Sequence, residues 1–349
     1  MFFRTFLILL LLCARAYGSG NVSVVGELLI ETGKKLGGVE VGGLSGLFYD
    51  PKDKSLYAIQ DGPSPGQTRP HIFVFSTFWD RAKLEIKFKK TITLENLAAP
   101  HLWSDYDDLE SIVKLPSGDF ILSSEGSKQK STAALLRFSS VGKFKGLAFA
   151  PFDFLPKENR GVMHNRSLES LSVKPMGEVL FTANEMPLVQ EKSGGAVRVV
   201  QFLWEEKKQM SFRATYFYPL DAIPGNGVVD ITTIYDYKLL VMERAYDSQT
   251  DRPSIRIYQT LLRKYLKDGK LSSVLVGQKL PKNLILNLDQ LKPKLSKRLS
   301  NLDNFEGLTL GPNPSWHRGE RGKTIIMVSD NNFKKTQINA FVVVYIKDL

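Results

Sequence analysis

Apolar and polar residues alternate along most of this chain in short runs. The runs are bounded by Gly, Pro, Asn and Asp, and few stretches carry helical periodicity. After an opening strand over 22–30, four runs at 44–49, 55–60, 71–78 and 84–94 form a group. A second group falls at 109–115, 119–124, 133–139 and 144–150, and a third at 168–174, 178–183, 196–204 and 210–218. The fourth group is expected at 228–234, 238–243, 254–260 and 271–276. The fifth has three runs only, at 305–310, 324–329 and 340–346, so the opening strand is expected to complete it and close a ring. Leucines at helical spacing over 284–299, broken by Pro293, predict a short helix or ordered loop between the last two groups.

The groups repeat one pattern. Asp108-Leu-Glu-Ser opens a run that ends, after a tight turn, in Ser124-Glu-Gly126. Leu168-Glu-Ser-Leu is answered by Asn184-Glu185, and Asn304-Phe-Glu-Gly-Leu by Ser329-Asp-Asn-Asn332. Ser45, Glu110, Glu169, Asp230 and Glu306 stand at matching heads, spaced by 65, 59, 61 and 76 residues. A period near sixty with four strands per unit predicts an all-β fold: a single β-propeller of four-stranded blades. Five blades are expected, six if the stretch 263–298 conceals another. Closure of the ring also removes exposed sheet edges.

In an antiparallel hairpin the start of one strand lies beside the end of the next. Glu110 is thus expected beside Glu125, Glu169 beside Glu185, Asp230 beside Glu243, and Glu306 beside Asp330, with Asp61 in the first blade. If the first strand of every blade lines the channel, these carboxylates share one mouth. Like charges so close need a neutraliser. One is a hard divalent cation, calcium above all, which takes six to eight oxygen ligands. The other is the nearby basic set Arg69, His71, His164, Arg166 and Arg244. Asn184, Asn331 and Asn332 would add amide oxygens. A carboxylate at a strand start can also simply bond backbone N–H groups and brace neighbouring blades; its recurrence at both strand ends favours a functional mouth.

Composition narrows the setting. The chain has 349 residues and a formal net charge of +11. Residues 1–18 read as an export signal: Arg4, an apolar run over 6–12, then small residues before a cleavage expected near Ala16–Gly18. Residues 19–349 would form the propeller domain of a secreted or periplasmic protein. Cys13 is the sole cysteine, so no disulfide or thiolate chemistry is expected after cleavage. From Arg263 to Arg298 ten basic residues face two acidic ones, which reads as a solvated charged loop. No nucleic-acid module, membrane span after cleavage, Gly-x-Ser-x-Gly elbow, His-Glu-x-x-His motif, P-loop or dinucleotide fingerprint is present, and the four histidines are scattered.

Gly43-Leu-Ser-Gly-Leu with Asp61-Gly62, Asp108-Leu-Glu-Ser with Ser124-Glu-Gly126, Asn165 to Leu171 with Asn184-Glu185, and Asp303-Asn-Phe-Glu-Gly-Leu with Ser329 to Asn332 form an ordered set. In these motifs the chain resembles the secreted phytase-like domain family, "esterase-like activity of phytase", over about residues 22–349. The resemblance implies a propeller-type fold and hydrolysis of ester or phosphoester bonds. The chain lacks the Arg-His-Gly signature of histidine acid phosphatases, so a phosphatase mechanism would be a metal one. The expected assignment gives Glu110, Glu169, Asp230 and Glu306 to the metal, and Glu125 and Glu185 to catalysis. Asp61, Arg69, His71, His164, Asn184, Glu243, Arg244, Asp330 and Asn331 would meet a small anionic or ester substrate. A lactonase on the same architecture, and a non-catalytic propeller that binds a ligand or protein around a structural cation, remain open alternatives.

Overall fold

A computed structural model describes residues 21–95, 105–127, 133–205, 208–247, 252–265, 271–272, 278–299, 302, 304–315 and 322–349. The expected export signal with Cys13, and also His101, Trp103, Asp303, Trp316 and His317, lie outside these residues.

The β-branched and aromatic runs form five four-stranded antiparallel sheets, the blades of a five-bladed propeller. Their innermost strands are Leu44–Asp50, Asp108–Lys114, Leu168–Val173, Gly227–Tyr235 and Asn304–Leu310. Each packs against the innermost strands of the two neighbouring blades, so the five close around one axis. In blade five, Val22–Ile30 pairs antiparallel with Asn339–Lys347 and supplies the outer strand, so that blade is built from both ends of the described chain.

The inner strands are buried on both faces because each blade is covered by its neighbours. The core is therefore a ring of five apolar layers, each between consecutive blades. Ile59, Ile72 and Phe120 lie between blades one and two. Leu135, Leu180 and Phe202 lie between two and three. Tyr216, Tyr218 and Val241 fill the gap between three and four. Met242, Phe305 and Met327 fill the next. Phe73, Phe75 and Phe341 join blade five back to blade one, with the Phe75 and Phe341 ring centroids 5.0 Å apart.

Blade four departs from expectation. Its outer strand is Lys282–Asn287, paired with Arg252–Leu261, and not 271–276. Leu271–Ser272 instead pairs with Lys264–Tyr265 in a two-stranded ribbon. Lys282-Asn-Leu-Ile-Leu-Asn287 reads either as a strand or as the start of a leucine-spaced helix, and packing of Ile285 and Leu286 against the blade selects the strand. Two 3-10 turns follow, Leu288–Lys294 and Lys297–Leu299. Asn287 caps the first by accepting a bond from the Asp289 amide at 3.1 Å. The basic stretch thus adds no sixth blade. Among the described residues no helix is long and apolar enough to cross a membrane.

Phe75→Ala should open a cavity in the layer that closes the ring and cost about 3–5 kcal/mol, read from urea denaturation midpoints. Phe78→Ala on the same strand, at a side chain 40% exposed, should change stability by about 0.5 kcal/mol or less.

Candidate functional site

All five inner strands run in the same sense, so their first residues meet at one mouth of the channel. Each begins with a β-bulge, which inserts a residue that the neighbouring strand does not pair and so re-aims its side chain. In blade two Leu109 pairs with Ser124 and Ser111 with Ser123, leaving Glu110 in the bulge. Glu169 occupies the same place between Leu168 and Ser170 in blade three, and Glu306 between Phe305 and Gly307 in blade five. In blade one the bulge holds Ser45 and Gly46. A Cβ on Gly46 would lie 2.4 Å from the Ser111 backbone, so glycine is what lets blades one and two approach here.

Blade four is shifted by one residue relative to the sequence assignment. Its bulge falls between Val228 and Asp230, and Val229 is the register-matched residue. Asp230 stands one step deeper, in register with Ser111, Ser170 and Gly307. It accepts hydrogen bonds from Ser111 Oγ at 3.2 Å, the Leu308 amide at 2.6 Å and the Ile231 amide at 2.8 Å. It is fully buried and ties blade four to blades two and five. The second strand shifts likewise. Val228 pairs with Glu243, so Arg244 takes the place that Asp61, Glu125, Glu185 and Asp330 hold in the other blades. Glu243 faces away from the mouth. It accepts bonds from Tyr218 Oη at 2.7 Å, Asn226 Nδ2 at 2.6 Å and Lys282 Nζ at 2.5 Å, between blades three and four.

The remaining carboxylates do converge. Asp108, Glu110 and Glu125 each offer an oxygen within 4.8 Å of the other two, a spacing that a metal ion could fill. Ser45 Oγ donates to Glu110 Oε2 at 2.8 Å. Glu125 Oε1 accepts from the Ser167 amide, while its Oε2 is buried with no hydrogen-bond partner. Burial first, then the charges of Glu125 and Asp108, holds Glu110 well above the usual carboxylate range. Glu169 is raised by burial and by Glu110, Glu125 and Glu185, and Asp61 by burial, Asp330 and Glu306. Burial and Glu185 push Glu125 up to about 8, and burial and Glu306 push Asp330 up to about 7. Two arginines oppose this charge. Arg166 binds Glu185 at 2.5 Å, and Arg244 binds Glu306 at 2.7 Å.

The other residues expected at the mouth have these environments. Arg69 pairs with Glu95 at 3.7 Å on the surface. His71 is buried at the start of the third strand of blade one, and its burial lowers its pKa. His164 is exposed on the loop leading to Glu169. Asn184 spends its amide on the Met186 carbonyl and its Oδ1 on the Arg198 amide, and Asn331 binds Thr32 and the Phe333 amide, so both pin their loops. The sequence assignment passed over Asp108 as a ligand. Its signal was its place two residues before Glu110 at the head of a bulged strand.

No curated protein matches the sequence. Among solved structures, an endo-arabinase from Bacteroides thetaiotaomicron is 13% identical, with 92% of this chain and 96% of that one covered and a TM-score of 0.44. An α-L-arabinanase of Cellvibrio cellulosa complexed with arabinohexaose is 10% identical, with coverage of 86% and 92% and a TM-score of 0.42. The periplasmic gluconolactonase of Pseudomonas aeruginosa is 12% identical, with coverage of 86% and 84% and a TM-score of 0.37. The model of the Phytase-like family, "Esterase-like activity of phytase", matches residues 39–333, and the chain belongs to that family.

Proposed function

We propose that the protein is an exported hydrolase of phosphoesters or other esters that works with a divalent cation, calcium above all, at the acidic mouth. The observation that carries this reading is Glu125, which offers an oxygen to a cluster of carboxylate oxygens within 4.8 Å of one another and whose Oε2 is buried without a partner. Such a group is costly unless a cation meets it. An all-oxygen donor set suits a hard cation. The family's description supports an ester as substrate.

Asp108, Glu110 and Glu125 would hold the cation, with Glu169 and Glu306 on the neighbouring sectors of the rim. When bound, the cation supplies polarisation of an ester oxygen and a lowered pKa for a coordinated water. Ser45 fixes the Glu110 carboxylate, and the Ser167 amide fixes Glu125 through Oε1. Asp230 keeps the inner strands of blades two, four and five in step beneath the site. Glu169, whose pKa is raised by burial and then by Glu110, Glu125, Glu185 and Glu306, would in its ionised form take a proton from water. Arg244 and Arg166 leave a positive edge for an anionic substrate, each already oriented by its own carboxylate.

The test is to strip the mature chain with chelator and measure melting temperature and turnover on phosphomonoester, carboxylic-ester and lactone substrates, with and without calcium. Calcium-dependent ester turnover, lost by at least about a hundredfold in Glu169→Gln, is the expected result. A calcium shift in melting temperature with no turnover on any substrate would leave a binding propeller with a structural cation, and turnover unaffected by chelator would remove the cation from the mechanism.

Glu125→Gln should have opposite effects on two readouts. It removes a carboxyl that must take up a proton when it is buried on folding, so the chelated protein should melt several degrees higher at neutral pH, while the calcium-induced shift shrinks or vanishes. Differential scanning fluorimetry of the two proteins with and without calcium checks it.

The acidic mouth also sets a pH dependence. Glu125 is raised from 4.5 to about 8 and Asp330 from 3.8 to about 7, so the native state holds protons that the unfolded chain releases in this window. Their contribution to stability is complete below pH 4 and is lost as pH rises through 7 to 8. The chelated protein should therefore lose denaturation midpoint between about pH 5 and 8, and saturating calcium should flatten that slope.

A further inference from the structure

The other end of the channel has the opposite character. The inner strands run away from the acidic mouth and finish in hairpin turns around a cavity of about 680 Å³, bounded by all five blades. None of the clustered carboxylates lines this cavity, and Asp230, bonded to Ser111 and Leu308, lies between the two ends.

Its wall is largely apolar, with Leu47, Phe48, Val113, Leu171 and Ile231 contributing. Three hydroxyls in the wall are already engaged between blades. Ser172 and Thr233 share a hydrogen bond of 2.8 Å, and Thr309 Oγ1 accepts from the Tyr49 amide at 3.2 Å. The polarity of the cavity therefore comes from its charged rim. Lys52, Lys114, Lys174 and Lys323 line it against two carboxylates, Asp50 and Asp53. Lys114 answers both, at 2.8 Å and 3.0 Å, and this contact raises its pKa. Lys174 is held by Asp236 at 3.3 Å and Glu178 at 3.7 Å and lies over the Tyr237 ring. These two lysines are fixed in place by four carboxylates, whereas Lys52 and Lys323 form no ion pair among the described residues and are the cations left to meet an anion. Blade four adds Lys238 immediately after its inner hairpin turn.

We propose that this lysine-rimmed cavity is a second binding site, for a small organic anion with an apolar body, such as a carboxylate or sulfonate on an aromatic or aliphatic frame. The volume lies within the range of small-molecule sites, about 300–1,000 Å³. The apolar wall takes the body and the lysines take the charge, so neither a neutral polar sugar nor a cation is matched. Nothing in this site requires a metal, and it does not depend on the reading of the acidic mouth.

The test is fluorescence titration of the whole mature chain with 1-anilinonaphthalene-8-sulfonate, beside its uncharged relative N-phenyl-1-naphthylamine, followed by displacement with decanoate. Saturable one-to-one binding of the sulfonate is expected, at least about tenfold tighter than the neutral dye and weakened by raised salt. Decanoate should displace it, and chelator or Glu125→Gln should leave it unchanged. Lys52→Glu with Lys323→Glu should weaken it by about tenfold or more while the melting temperature stays close to that of the parent. Equal affinity for the two dyes, unchanged binding in the charge-reversed protein, or no saturable binding would each overturn the proposal. The dye comparison on the parent protein decides the matter even where the double variant fails to fold.

Discussion

Five blades close around one axis only if their innermost strands approach closely, and that approach forces the side chains at the strand heads together. Gly46 against the Ser111 backbone and Gly307 against the Ser45 carbonyl mark how tight the approach is, because a Cβ at either would sit within 2.4 Å of its neighbour. The carboxylates at the mouth are thus held by the geometry of closure and by the apolar layers between blades, not by attraction among themselves. Two unit charges about 5 Å apart repel by about 3 kcal/mol at an effective dielectric of 20. A ring of them persists only because the layers are strong and because protons, arginines or a cation offset the repulsion.

Blade four supplies part of that offset by breaking the repeat. A one-residue shift exchanges a glutamate for Val229 at the inner position and an acid for Arg244 at the outer one. The displaced acids acquire different work. Asp230 moves inward and gathers amide and hydroxyl donors from three blades, while Glu243 moves outward into a buried network with Lys282, Tyr218 and Asn226. The site is consequently asymmetric: the carboxylates crowd on the blade two and three side, and Arg244 stands on the blade four and five side. A guanidinium stands on each side of it, Arg166 at Glu185 and Arg244 at Glu306.

Much of this was legible in the chain. The repeat of an acid–strand–turn–strand–acid pattern at a spacing near sixty is visible without structure, and so is closure by 22–30, because blade five lacks a strand and the chain begins with a spare one. Register was not legible. Alternation fixes which residues share a face only once the bulge is located, and Val228-Val-Asp230 places an acid one step from where Leu109-Glu or Leu168-Glu places it. A one-residue slip reverses every side-chain direction in a strand, so Asp230 and Glu243 were misplaced together. The outer strand of blade four was missed for another reason: leucines at 284, 286, 288 and 291 satisfy two periodicities, and only burial against the blade distinguishes them. Asparagines such as Asn184 and Asn331 look like ligands in sequence because amide side chains serve ligands and loop backbones equally well.

The two ends of the channel carry opposite charge although they are built from the same five strands. At the strand heads, the bulges turn acids inward where neighbouring blades leave no room for water. At the strand tails, the hairpin turns spread apart, and long lysine side chains can lay their methylenes along the wall and still reach the opening. Short carboxylates gather at one end of the inner strands, and long lysines interleaved with carboxylates ring the other. Between them the buried Asp230, bonded to Ser111, Ile231 and Leu308, ties blades two, four and five together.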